Sequence, residues 1–190
     1  MRQFTLAMLC CVFAVGTADA EPPMKLTLQT EGVNFPAGTV CRAEIRAEYR
    51  IVQPRISAND AGRQVEVTDD MATFVAPAPE RQAWRFVAAP KTNGRQSFEF
   101  TLPADLPRAH GSARAAIYVP VTYSIAVAGF PEVKQQQTFV VRVDATAPGK
   151  PVSRCLRFEL INGSQLRTGL LPTCNDSFET RGAQPLAASD

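Results

Sequence analysis

Histidine is almost absent from this chain: His110 is the single one in 190 residues. A blue-type copper site, which takes two histidines and a cysteine, is thereby excluded. A Ser-His-Asp or Cys-His enzyme would have to use His110. That residue lies in "PRAHGSAR", with no Gly-x-Ser-x-Gly or Cys-Gly-Ser-Cys stretch in the chain to supply a nucleophile, and it reads as an exposed loop residue. Cys-x-x-Cys spacing is missing too. Cys41, Cys155, Cys174 and His110 have the atom types of a zinc site without its spacing. Asp60 and Asp69-Asp70 could attract a hard cation, but no Asp-x-Asp-x-Asp-Gly loop holds them, so they read as solvent-facing. There is no phosphate loop and no dinucleotide fingerprint. The expectation is a chain with no catalytic residue, no cofactor and no metal.

A preponderance of one charge is lacking as well. The formal net charge is +2, and the basic residues are spread along the chain. Nothing therefore points to nucleic acid or to anionic membranes. The main apolar run stands at the start, "MRQFTLAMLCCVFAVGTADAEPP". Arg2 supplies a positive head, Leu6 to Val15 an apolar core, and Ala18-Asp19-Ala20 a small-x-small cleavage site. This pattern predicts a secretory signal peptide over 1–20, too short to span a membrane and cut after Ala20. Met8-Leu9 ahead of Cys10 argues against a lipoprotein. The expected address is periplasmic or secreted, and the Ala/Arg-rich usage favours a Gram-negative periplasm. Asn162-Gly-Ser and Asn175-Asp-Ser match the glycosylation acceptor, which would matter only in a eukaryote.

Cys10 and Cys11 leave with the signal, so Cys41, Cys155 and Cys174 remain, an odd number in an oxidising compartment. In "SRCLRFELI", Leu156, Phe158 and Leu160 take one face of a strand and Cys155 the other, beside Arg157 and Glu159. Cys41 shares the apolar face of its own strand. The expected disulfide is Cys155 to Cys174, with Cys41 left as a buried thiol; the rival is a bridge from Cys41 to either later cysteine.

What the chain has in quantity is alternation. In "CRAEIRAEYRI", residues 41–51, apolar Cys41, Ala43, Ile45, Ala47, Tyr49 and Ile51 interleave with Arg42, Glu44, Arg46, Glu48 and Arg50. On a helix, like charges would meet four residues apart. On a strand, all five charges line one face with alternating sign. The segment therefore reads as one strand with a solvated charged face. Similar patterns recur in "MKLTLQT", "RQVEVTD", "QAWRFVA", "QSFEFTL", "AAIYVPVTYSIAV" and "QTFVVRVDA", bounded by Gly, Pro, Asn and Asp. Pro54 is expected to end its strand, and Pro120 to mark an edge or a bulge. No window sustains a helical period. The prediction is an all-β, immunoglobulin-like antiparallel β-sandwich with a C-terminal β-hairpin. Its domains are expected to be a signal peptide 1–20, a sandwich 21–144, a linker 145–152, a hairpin 153–178 packed on the sandwich, and a disordered tail 179–190.

Residues 97–127, "SFEFTLPADLPRAHGSARAAIYVPVTYSIAV", resemble the strand, Leu-Pro loop and long strand of arrestin-like sandwiches. The resemblance implies the fold class and no activity. Many strands imply edges suited to strand addition. The expected role is an exported, non-catalytic protein-binding module whose partner is another exported or envelope protein. The alternatives are a structural subunit of a surface assembly, and a secreted hydrolase or hydrolase inhibitor.

Overall fold

A computed structural model describes residues 23–58, 64–92, 94–111, 113–143, 150–178 and 184–185, with the side chains of 54–73 and 184–185 outside that description. The described residues form strands and no helix. In order these are β1 (Lys25–Val33), β2 (Val40–Ile45), β3 (Glu48–Ala58), β4 (Gln64–Pro77), β5 (Gln82–Val87), β6 (Gln96–Thr101), β7 (Arg114–Ala126), β8 (Val133–Arg142), β9 (Val152–Ile161), β10 (Gln165–Leu171) and β11 (Gln184–Pro185). Two sheets pack face to face. The first runs β11-β10-β9-β1-β6; the second joins β4, β3, β7, β2 and β5, with β8 on β7.

The C-terminal hairpin enters the first sheet as two of its strands. β9 lies parallel to β1, from Leu26 opposite Val152 to Val33 opposite Glu159. Asn162 and Gly163, with φ of 51° and 72°, make the turn into β10. Both residues take the left-handed conformation that a tight right-twisting hairpin demands. In the second sheet, β7 is central in fact: β2 and β3 both pair with one side of it, and β8 pairs with the other.

Residues 41–51 are thus not one unbroken strand. Arg46 and Ala47 separate β2 from β3, yet the register on β7 does not shift, with Ile45 opposite Val121 and Glu48 opposite Tyr118. The cause is Pro120. It accepts a bond from the Arg46 N–H at 3.0 Å, but has no N–H to return. The expectation of an edge or bulge at Pro120 fails, because β7 is paired on both sides. Proline is accommodated here by dropping one ladder bond. Pro54 does not end its strand either. β3 continues to Ala58, with a register shift between Gln53 and Arg55, the kind of irregularity that admits a proline.

The core forms where the alternating apolar faces meet. Leu26 and Leu28 of β1, Phe98 and Phe100 of β6, and Leu156, Phe158 and Leu160 of β9 face Cys41, Ile45, Trp84, Ile117, Val121, Ile125 and Val141 from the other sheet. Trp84 stacks on Phe158 at 5.1 Å between ring centroids, and Tyr123 meets the same ring edge-on at 5.1 Å. Gly94 must be glycine: a Cβ there would lie 2.0 Å from the Phe86 ring. Its carbonyl accepts the Trp84 indole N–H at 3.1 Å. Tyr49 donates its hydroxyl to the Pro107 carbonyl at 3.0 Å, pinning the loop from β6 to β7.

Candidate interaction surfaces

The charged row of residues 42–50 lies on the outer face of the second sheet. Arg42, Glu44 and Arg46 are exposed, whereas Glu48 and Arg50 are half-buried. Neighbours two apart on one strand face are close enough to pair when their signs differ. Arg46 meets Glu44 at 3.4 Å, and Arg81 of the adjoining loop reaches the same carboxylate at 3.0 Å. Arg50 pairs with Glu48 and lies 4.4 Å from the Tyr118 ring centroid, which explains why the row dries out towards β3. A shallow depression of about 400 Å³ sits over Ala43 and Ala83 between Arg42, Glu44, Arg85 and Lys134. Its walls carry three cations against one carboxylate, that of Glu44, which Arg46 and Arg81 already engage.

The border of this face is β8. In an antiparallel ladder the N–H and C=O of one residue point to the same side. Val143 donates to the Ala115 carbonyl, so odd-numbered residues of β8 bond β7. Lys134, Gln136, Thr138, Val140 and Arg142 therefore aim their backbone groups away from β7, and no described strand meets them. Inside, β8 is firmly held. Phe139 and Val141 are buried, and Thr168 donates to the Tyr123 hydroxyl at 3.4 Å, which donates to Gln135 Oε1 at 2.5 Å. From Gln135 to Val141 the strand has neither charge nor proline, and Val140 is 52% exposed. Other borders are blunter. β5 and β6 are six residues each, and β4 contains register shifts and Asp69-Asp70. Charges, bulges and short length are the usual protections of an edge; the middle of β8 has none of them.

The outer face of the first sheet is built differently. Cys155 and Cys174 are joined by a disulfide, and the segment after β10 folds back over β9. Phe178 lies on Gly169, where a Cβ would approach the ring to 2.5 Å, between Arg157 and Arg167 at 5.9 and 5.4 Å. Beneath, Glu31 is buried. Arg157 donates twice to its Oε2, at 3.2 and 3.1 Å, and Arg95 once to Oε1 at 2.8 Å. Arg157 also donates to the carbonyls of Cys174 and Asp176. Glu31 and the two sulfurs are close enough to form a metal-type cluster, but sulfurs bonded to each other offer no thiolate, and two guanidiniums occupy the carboxylate.

His110 lies exposed in the loop between β6 and β7. Cys41 is a free, buried thiol, and burial pushes it up to about 12, which suits packing and not nucleophilic attack. The backbone of Asp69-Asp70 runs in β4 and Asp60 lies outside the described residues. No family model, curated protein or solved structure matches the chain. Sequence reasoning passed over Glu31 and the β8 edge. Glu31 follows the alternation of β1 as an outward residue, and only the returning C-terminal segment buries it. An edge is a property of pairing, which no local pattern records.

Proposed function

We propose that this protein is an exported, non-catalytic protein-binding module, built as an immunoglobulin-like sandwich whose expected all-antiparallel pairing is broken where β1 meets β9, that takes up an extended segment of its partner along the outer edge of β8. The open, uncharged middle of that strand carries the reading. Strand addition draws its affinity from main-chain hydrogen bonds, and the alternating outward groups of residues 134–142 offer them at the spacing a strand requires. Export rests on the signal-like residues 1–20, with cleavage after Ala20 delivering the chain to the periplasm or outside the cell. The non-catalytic reading draws support from the cysteines: one thiol is buried and held protonated, and the other two are bonded to each other.

Thr138→Pro tests the site. Thr138 stands opposite Pro120, and its N–H points outward, so proline removes an edge donor without removing a bond to β7. The expected outcome is an unchanged urea midpoint for the dilute single chain together with loss of whatever protein wild type retains from its own envelope extract. Retention by Thr138→Pro at the wild-type level would contradict the assignment of β8.

A further inference from the structure

We propose that the strand received by β8 is the β8 of a second copy of this chain, paired antiparallel about a two-fold axis. The inference rests on the strand-addition reading and names the partner of that same edge. Charge complementarity selects it. Outward groups can exchange bonds only when even-numbered residues oppose even-numbered residues. In one such register Gln136 faces Thr138 of the second copy, Lys134 faces Val140, and Glu132 faces Arg142. Two-fold symmetry repeats each pair, as an isologous contact requires, so opposite charges close both ends of the seam. Sliding two residues one way sets Lys134 against Arg142, which are like charges directly opposed. Sliding two the other way leaves Arg142 opposite Phe130, beyond the strand, with no charge pair. The residues from Glu132, just ahead of β8, to Arg142 thus give one self-pairing with opposite charges at both ends, which neither neighbouring register has.

The seam's parts are accessible. The Glu132 side chain is 36% exposed, and its carboxyl is held below the ordinary range first by the hydrogen bond from Lys134 and then by Ser124. The Lys134 ammonium lies 3.0 Å away and is itself exposed. Turning Glu132 towards Arg142 of the second copy exchanges one solvated pair for another. Val140, 52% exposed in the single chain, is covered by the stem of Lys134 across the seam.

Sedimentation velocity on the exported protein over a range of concentrations tests the proposal, with four variants: Glu132→Arg, Arg142→Glu, the two combined, and Thr138→Pro. Wild type is expected to show a concentration-dependent dimer. Each single reversal should weaken it by about tenfold, as two cross-strand pairs turn from attractive to repulsive. The double reversal should restore it, and Thr138→Pro should abolish it. A dimer indifferent to Thr138→Pro would overturn this proposal, and retention of every captured protein by Thr138→Pro would overturn the strand-addition reading with it. A wild-type monomer that still loses a different protein through Thr138→Pro would overturn only the second copy. A dimer lost in Thr138→Pro but not rescued by the double reversal would overturn the register and with it this pairing.

Discussion

Glu31 and Glu44 have the same kind of immediate partner and opposite surroundings. Each carboxylate is held by two arginines, Glu31 by Arg95 and Arg157, Glu44 by Arg46 and Arg81. Each projects from the outer face of its sheet. Yet the side chain of Glu31 is 2% exposed and that of Glu44 is 47% exposed. The difference is the C-terminal segment, which the disulfide ties across the first sheet, while the second sheet stays open to water. Charge chemistry is therefore a poor guide to energy here. Burial decides, because a desolvated ion left without its partner costs several kcal/mol and a solvated one costs almost nothing.

The largest expected effect comes from breaking the covered pair. Glu31→Gln leaves Arg157, whose side chain is 12% exposed, without its counter-ion and should cost about 3–5 kcal/mol in a urea melt. A loss comparable to that of Glu44→Gln would show that water reaches the covered face. Replacing Cys155 and Cys174 together by Ser opens a loop of 19 residues and should cost about 3 kcal/mol in the chain-entropy model. It should also blunt the Glu31→Gln penalty, because the two act through one cover. Thermal melts of both variants and their combination measure that coupling.

Between the two faces lies the core, on which Cys41 reports. Its thiol stays protonated in the fold up to about 12, whereas the ordinary value is 9.0. The unfolded chain therefore gives up this proton first. The contribution is intact below pH 9 and is lost as pH rises from 9 towards 12, at up to about 1.4 kcal/mol per pH unit. Wild type should lose about 2 kcal/mol more than Cys41→Ala between pH 8 and pH 10.5; parallel losses would mean a hydrated thiol. The smallest effect belongs to the open face. Glu44→Gln and Arg46→Ala should each change stability by about 0.5 kcal/mol or less, and a larger change in either would mean that the row is structural.

Much of this was legible in alternation. The charges of residues 42–50 and the apolar series Leu156, Phe158, Leu160 placed faces correctly, and through them the Cys155–Cys174 bridge and the buried Cys41. Alternation is local and survives folding, which is why it informs. What it could not supply was pairing. Pro120 suggested an edge, but β7 took partners on both sides and dropped a bond. Parallel pairing of β1 with β9 joins residues more than a hundred positions apart, and neither strand's pattern names the other. The β8 edge was hidden for the same reason. Phe139 and Val141 marked its inner face, and nothing local told that its outer rim would stay open.

Residue-resolved amide hydrogen exchange along β8 tests the central claim most directly. In the dilute single chain, the amides of Lys134, Gln136, Thr138, Val140 and Arg142 should exchange fast, while Gln135, Gln137, Phe139 and Val141, bonded to β7, are protected. Binding should protect the first group and leave the second unchanged. Protection of the first group before any partner is present, or its continued fast exchange in the complex, would contradict an open edge that receives a strand.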